Sequence, residues 1–198
     1  MACKTILSLF DHSGNWSSYY KESGYDVYRI DIKLGLDILD FDPVLDLDIP
    51  VHGILAAPPC TDFASSGAQY WKTKDSNGAT QYSMSLVQKV LDLVEYYDPT
   101  WWCLENPVGR LNKLFPGLKK PYYFNPCDYS GYLDDPTTDC YTKKTGLWGV
   151  FNIPEHKYNP PILGNSPIMK LGGKSEKTKE LRSITPLGFS KAFYIHNP

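Results

Sequence analysis

The chain has 198 residues, of which 42% are hydrophobic, and this is enough for one domain with a sizeable core. No apolar run approaches the ~20 residues of a membrane span and the N-terminal residues lack the pattern of a signal peptide, so we expect a cytoplasmic protein. The net charge of −2 hides an asymmetry: residues 1–60 carry nine acidic and four basic side chains, residues 61–198 thirteen and sixteen, so phosphate binding is expected in the second part.

The first predicted elements are a strand, a turn, a helix and a second strand. Residues 4–10 are apolar enough for a central strand, and residues 11–16 supply a turn before a helix. Gly24 ends that helix, and residues 25–31 form a strand that finishes at Asp31. An acid about 20 residues after such a loop is typical of sites that bind an adenosine ribose, but this loop is not GxGxxG and is a weak signal alone.

A cysteine follows the next predicted strand. Residues 52–57 are apolar, and Pro58 and Pro59 end the strand because proline cannot continue a sheet ladder. Cys60 then lies at the carboxyl end of a strand, where ligands bind in open α/β sheets, so its thiol can serve as a nucleophile. An isolated cysteine is more often a small buried hydrophobe. The five cysteines form no CxxC pair and the four histidines are not paired at ligand spacing, so we expect reduced thiols and no metal.

A carboxylate follows the strand after that. Residues 81–97 have apolar side chains at helical spacing and residues 101–104 form a short apolar strand, after which come Glu105 and Asn106. Burial next to an apolar strand favours the protonated form of Glu105, which suits a general acid. Strands that alternate with helices predict a three-layer α/β fold with a mostly parallel sheet.

Beyond Asn106 the composition changes. Residues 115–167 are rich in Pro, Gly, Tyr and Asn, with one further predicted strand at residues 145–151. Residues 170–182 hold five basic and two acidic side chains and are predicted to form a flexible basic loop. We therefore divide the chain into a core (1–114), a loop-rich substrate region (115–181) and a segment that returns to the core (182–198).

The Pro-Pro-Cys element at residues 58–60 and the Glu-Asn-Pro element at residues 105–107 together resemble the nucleophile and acid motifs of the DNA cytosine-5 methyltransferases. The resemblance extends to the loop at residues 7–17 and to residues 182–186, and it is strongest to the small phage or prophage-encoded members. It implies a Rossmann-like, S-adenosylmethionine-dependent methyltransferase fold with a short target-recognition region. It also implies DNA as partner and a monomer in a bacterial or phage-infected cell.

The resemblance implies roles for individual residues, with Cys60 as nucleophile and Glu105 as acid. It places Asp31 on the ribose of the cofactor and Asp37 (or, as second choice, Asp40) near the adenine. The full set of residues for which it implies cofactor contacts is Phe10, Asp11, Ser13, Gly14, Asn15, Trp16, Asp31, Asp37 and Pro58. It implies substrate contacts for Pro59, Ser65, Ser66, Asn106, Lys143, Lys144 and Thr185, and a mobile loop at residues 65–67 that closes over a flipped base.

The chain departs from the family pattern in several places. Lys143 and Lys144 stand where family members place an arginine pair, and Pro107 stands where valine is commoner. About 30 residues after Phe151 are left for target recognition, so base readout should be limited. The closing Gly-Asn motif of the family is not recognisable in residues 193–198.

Three hypotheses for the function stay open. The first is transfer of a methyl group from S-adenosylmethionine to carbon 5 of cytosine in DNA through a covalent Cys60 adduct. The second is a related carbon-5 modification of cytosine in DNA or of a free cytosine nucleotide. The third is a catalytically idle protein that binds nucleic acid or a partner on the same fold.

Overall fold

The computed structural model describes residues 3–164, 166, 180–181 and 183–198, and these residues form a six-stranded sheet. The strands are β1 Thr5–Leu9, β2 Asp26–Ile30, β3 Gly53–Ala56, β4 Trp101–Pro107, β5 Tyr122–Phe124 and β6 Thr145–Val150. Their order is β2-β1-β3-β4-β6-β5; the first four are parallel, β6 is antiparallel to β4, and β5 is antiparallel to β6. The predicted α/β fold with a mostly parallel sheet is confirmed.

Helices connect these strands. They are α1 Ser18–Glu22, α2 Pro43–Asp46, α3 Trp71–Ser76, α4 Ala79–Tyr97, α5 Leu111–Leu114 and α6 Leu187–His196. Of these α4 is the longest, and it buries a stripe that includes Leu86, Val87 and Val90 at the spacing expected of one helix face. It ends at Tyr97, and the next residue, Asp98, has a left-handed φ of 43° directly before Pro99.

Helices pack on both faces of the sheet, which produces the three layers. On one face, Val90 of α4 belongs to the same apolar cluster as Leu7 of β1. On the other face, Tyr20 of α1 and Phe193 of α6 cluster with Ile6 of β1. Neighbouring residues of β1 thus point into opposite cores, because side chains alternate along a strand.

Strand β4 is longer than the sequence predicts. Its pairing with β3 extends to Leu104, and beyond that point Glu105, Asn106 and Pro107 continue as strand by pairing with β6. Glu105 therefore lies within the strand, opposite Leu147, and not in the loop that follows. The antiparallel partner extends β4 past its parallel neighbour.

Several regions that form regular structure were not predicted to do so. Tyr122–Phe124 forms the edge strand β5, and Ser65–Tyr70 forms a 3₁₀ helix that runs directly into α3. Residues 65–67, which the sequence predicts as a loop, are thus helical, because bonds of the i to i+3 type such as Gly67 N–H to Ala64 C=O (3.0 Å) close the turn.

Some predictions concern residues outside the described part of the chain. The basic segment 170–182 lies outside the described residues except for positions 180 and 181. The division of the chain into three segments stays a prediction. Among the described helices, none combines the length and the apolar character that crossing a bilayer requires.

Candidate active site

The loop between β1 and α1 is built around the carboxylate of Asp11. This buried group accepts hydrogen bonds from Ser8 Oγ (2.9 Å), Ser17 Oγ (2.8 Å) and Ser17 N–H (3.2 Å). The loop leaves the strand through Phe10, whose φ of 61° is left-handed, and turns again at Gly14 with φ 74°. A non-glycine residue held at positive φ is strained, and such strain concentrates at ligand sites.

Asp31 joins this loop to the end of β2. Its Oδ2 accepts from His12 N–H (3.2 Å) and its Oδ1 accepts from Lys33 N–H (2.8 Å). Each carboxylate oxygen has two lone pairs, so both oxygens keep acceptor capacity for a ligand hydroxyl. Ile32, which directly follows, is 69% exposed although it is apolar. Ile32 was not among the site residues predicted from the sequence, although its place next to the predicted ribose acid was an available signal.

The other predicted cofactor residues have different surroundings. Ser13 Oγ donates to Asp11 and accepts from Asn15 N–H, so both residues brace the loop. Asp37 is partly exposed and accepts from Leu39 N–H (3.0 Å) in a local turn. Trp16 is completely buried between Phe189 and Phe193 of α6, and its side chain offers no accessible surface to a cofactor.

The C-terminal part of the chain approaches the same loop. Asn15 Nδ2 donates to the carbonyl oxygen of Thr185 (3.4 Å), and Glu180 accepts from Lys33 (3.5 Å) and lies 3.3 Å from His12. The predicted substrate residue Thr185 is thus buried beside the loop between β1 and α1.

The turn at residues 58–60, which carries Cys60, is tied to β4 by a buried hydrogen bond. Asn106 is fully buried, and its Nδ2 donates to the carbonyl oxygen of Pro58 (3.0 Å). The register agrees, since Ala56 pairs with Leu104 two residues earlier on each strand. Pro58 is buried, Pro59 is exposed and Cys60 is partly exposed. The Pro-Pro-Cys and Glu-Asn-Pro elements therefore meet at one edge of the sheet.

Glu105 has a perturbed carboxyl group. Burial raises its pKa above the ordinary value, and the positive charge of Lys143 opposes this. Lys143 precedes β6, whose first residue, Thr145, pairs with Pro107. Lys144 points to a different neighbour, because its Nζ lies 4.9 Å from the centre of the Tyr123 ring. Of the two predicted lysines, the electrostatic partner of Glu105 is Lys143.

The remaining cysteines differ from Cys60. Cys103, Cys127 and Cys140 are buried, and burial raises the pKa of the Cys103 thiol well above its usual range. Cys3 is exposed and donates to the carbonyl of Gly24 (2.7 Å), at the opposite end of β2 from Asp31. Cys60 is therefore the accessible thiol at this edge of the sheet.

Ser65 and Ser66 are exposed in the 3₁₀ helix that follows the turn of Cys60. The backbone N–H of Ser65 donates to the carbonyl of Val108 (2.9 Å), which joins this helix to the loop after β4. Arg110 in that loop was not among the residues predicted from the sequence, although it follows the Glu-Asn-Pro element closely. No group of side chains that could hold a metal ion occurs among the residues described above.

The site combines a thiol and a shielded carboxyl group at the carboxyl edge of a mostly parallel sheet. Beside them lies a strand-loop-helix unit with an acid on the next strand. This arrangement is that of a Rossmann-like methyltransferase fold. The model of the C-5 cytosine-specific DNA methylase family matches residues 8–115, which include Asp31, Cys60 and Glu105, and the chain belongs to this family. No curated protein is significantly similar to the sequence.

Solved structures resemble the chain at low identity. The methyltransferase EhMeth of Entamoeba histolytica is 11% identical with a TM-score of 0.51, over 90% of this chain and 62% of that one. A prophage-encoded protein of E. coli, described as a DNA modification methyltransferase, is 17% identical (TM-score 0.49; 82% and 53% covered). A mutant of Spodoptera frugiperda DNMT2 is 18% identical (TM-score 0.47; 81% and 55% covered). The chain spans 53% to 62% of the length of these structures.

Proposed function

We propose that this protein transfers a methyl group from S-adenosylmethionine to carbon 5 of cytosine in DNA, through a covalent adduct with Cys60. The observation that carries the proposal is the Asn106 to Pro58 hydrogen bond (3.0 Å), because it joins the turn of Cys60 to the strand of Glu105. A nucleophile and an acid from different strands can then act on one base. Family membership supports the choice of cytosine carbon 5.

The chemistry requires both groups. Carbon 5 of cytosine is a poor nucleophile because it belongs to an aromatic ring. The Cys60 thiolate forms a bond to carbon 6, and Glu105 donates its proton to ring N3 as negative charge develops there, so that carbon 5 becomes part of an enamine. After transfer, loss of the carbon 5 proton to a base breaks the bond to sulfur and returns the thiolate, and Glu105 recovers its proton from N3.

Burial suits Glu105 to this task. An acid at neutral pH has to spend time protonated, and burial raises the pKa of Glu105 in that direction. The positive charge of nearby Lys143 opposes this rise in pKa and favours the carboxylate form, which suits a group that has to both release and recover its proton. Each form is needed once per turnover.

The residues around Asp31 fit the proposed methyl donor. S-adenosylmethionine, when bound, supplies the electrophilic methyl group that carbon 5 attacks. The Asp31 carboxylate retains acceptor capacity for ribose hydroxyls, and the exposed side chain of Ile32 offers an apolar surface to an adenine ring. Phe10, Asp11, Ser13, Gly14 and Asn15 would form the loop that holds the methionine part, and Asp37 and Pro58 would complete the site.

DNA is the proposed substrate. Carbon 6 cannot be reached inside a duplex, so the base has to be flipped out at a cost of a few kcal/mol. Lys143 and Lys144 would contact the phosphate backbone, and Pro59, Ser65, Ser66 and Thr185 would line the space around the base. Lysine lacks the fork of arginine, so it would hold a phosphate as a point charge without fixing its orientation.

Covalent trapping tests the proposal. The protein is incubated with S-adenosylmethionine and random-sequence duplexes in which cytosine is replaced by 5-fluorocytosine, because fluorine cannot leave as the carbon 5 proton does. We expect a stable adduct on the peptide that contains Cys60, none with Cys60→Ser, and a normal yield with Cys3→Ser, which removes a remote exposed thiol.

Other outcomes separate the alternatives. An adduct with 5-fluorodeoxycytidine monophosphate but not with duplexes would identify a free nucleotide as substrate. An adduct that lacks a transferred methyl group would show that Cys60 attacks the base without methyl transfer from S-adenosylmethionine, which favours a different carbon-5 modification. DNA binding without an adduct would support an idle binding protein.

A further inference from the structure

Arg110 joins three segments close to the turn that follows Cys60. Its Nε donates to the carbonyl of Asp62 (3.0 Å) and its backbone N–H donates to the carbonyl of Phe63 (2.9 Å). Its guanidinium donates two hydrogen bonds to the Asp75 carboxylate (2.7 and 2.9 Å) and one to Thr80 Oγ1 (2.8 Å). The turn after Cys60, helix α3 and the start of α4 thus share one side chain.

The guanidinium also packs against an aromatic ring. Its central carbon lies 4.6 Å from the centre of the Trp71 ring, at the start of α3. The Arg110 side chain is only 9% exposed although Asp75 is half exposed. Hydrogen bonds from Arg110 lower the pKa of Asp75 to about 2, so the pair stays charged at neutral pH. A planar cation in this geometry fixes orientation in a way that a lysine ammonium cannot.

A short path leads from Arg110 to Cys60. The carbonyl of Cys60 accepts from the N–H groups of Phe63 (3.0 Å) and Ala64 (2.9 Å), so the position of these two residues sets that of the cysteine. Ala64 forms a β-bridge with Gly109, and a Cβ on Gly109 would lie 2.0 Å from the Phe63 carbonyl oxygen. The loop that carries Arg110 is therefore packed directly against the turn.

A second cation reinforces the connection to α3. Lys74 of α3 bonds Asp62 Oδ1 (2.6 Å) and the carbonyl of Thr61 (2.7 Å). Lys74 thus bonds the same turn on which Arg110 acts, and α3 is attached to the residues after Cys60 by two independent cations.

We propose that Arg110 is a positioning residue: it fixes the turn that carries Cys60 and docks α3 beside it, without touching the substrate. The proposal rests on the proposed function, since the turn matters for catalysis only if Cys60 attacks the base. Misplacement of a reacting group by about 1 Å can cost on the order of a hundredfold in rate, so an arginine that holds Asp62, two residues after Cys60, can control turnover.

The test compares four variants. Arg110→Ala removes all side-chain contacts, Arg110→Lys keeps the charge without the fork, and Asp75→Asn weakens the α3 contact but leaves the Asp62 and Phe63 bonds. Lys113→Ala is the matched control, because Lys113 also acts on the charge of Asp75 but has no bond to the turn.

The expected result is a separation of kcat from KM. We expect kcat to fall about a hundredfold with Arg110→Ala and about tenfold with Arg110→Lys, with the KM for S-adenosylmethionine unchanged. Lys113→Ala should retain normal kcat. A kcat within about twofold of wild type in Arg110→Lys and Arg110→Ala would overturn the proposal, as would a loss confined to KM.

A second measurement does not depend on turnover. The rate at which iodoacetamide alkylates Cys60 is followed by mass spectrometry, with Cys3 of the same molecule as internal reference. We expect Arg110→Ala and Arg110→Lys to change the Cys60 rate at least about threefold without changing the Cys3 rate. If Arg110→Ala does not fold, the alkylation rate in Arg110→Lys tests the proposal.

The two measurements also separate this proposal from the proposed function. A wild-type protein that shows no methyl transfer, but whose Cys60 reactivity depends on Arg110, would refute the function and retain the positional role. An active enzyme whose Cys60 reactivity and kcat do not change in the Arg110 variants would support the proposed function and refute the positioning role of Arg110.

Discussion

The side-chain amide of Asn106 donates a hydrogen bond to the carbonyl oxygen of Pro58 across the gap between two parallel strands (3.0 Å). Asn106 is fully buried, and its Oδ1 has no hydrogen-bond partner among the described residues. A buried acceptor without a partner is costly, so this position is held for a reason other than its own stability. The bond sets the distance between the Cys60 turn and the Glu105 strand.

Asn106→Ala should loosen that connection. It leaves the Pro58 carbonyl without its donor, and we expect the free energy of unfolding to fall by about 1–3 kcal/mol, measured by urea titration. The alkylation rate of Cys60 should change as well. Asn112→Ala is the control, because Asn112 bonds Leu118 and Trp148 away from the turn and should lower stability alone. Equal effects of both variants on Cys60 would contradict the role of Asn106.

Glu105→Gln should slow catalysis and spare binding. An amide fills the same space as the carboxyl group but cannot donate a proton to ring N3, and a positioned acid typically contributes about a hundredfold or more. Single-turnover methyl transfer measures the rate, and fluorescence anisotropy measures DNA affinity. Turnover near that of wild type would remove Glu105 from the proposed mechanism.

The same variant makes a prediction about stability and pH. Burial raises the folded-state pKa of Glu105, so the proton contributes stability that is present below about pH 4.3 and lost as pH rises through the raised pKa. Because glutamine does not ionise, Glu105→Gln should have a higher Tm than wild type at neutral pH, and the two should converge toward pH 4. A lower Tm of the variant at neutral pH would mean that attraction to Lys143 outweighs burial.

Asp31→Ala should weaken the binding of S-adenosylhomocysteine. A carboxylate that accepts from ribose hydroxyls is typically worth about 1.5–3 kcal/mol, which corresponds to roughly ten- to a hundredfold in affinity. Isothermal titration calorimetry measures the change. Asp26→Ala, at the other end of β2, removes an exposed acid and should bind normally. If both variants bind equally, Asp31 does not contact the cofactor.

The fold class, and the sheet edge predicted to carry the chemistry, follow from the sequence alone. Short apolar runs separated by helical patterns predict parallel strands, and Pro58 and Pro59 end one of them whatever the rest of the chain does. Consequently Cys60 and Glu105 could be assigned to one edge without coordinates. These signals are local, since each depends on residues within a few positions of one another.

Which side chains meet at that edge depends on the packing of distant parts of the chain. Lys143 and Lys144 are adjacent in sequence, yet their side chains have different neighbours. The charge of Lys143 opposes the rise in the pKa of Glu105 that burial causes, whereas Lys144 lies over the ring of Tyr123. The start of β6 and the position of β5 set these directions. Trp16, predicted in the cofactor loop, is buried by α6 from the far end of the chain. Arg110 reaches Asp62 across 48 positions and Asp75 across 35, and such contacts depend on strand order and helix packing, which no local pattern specifies.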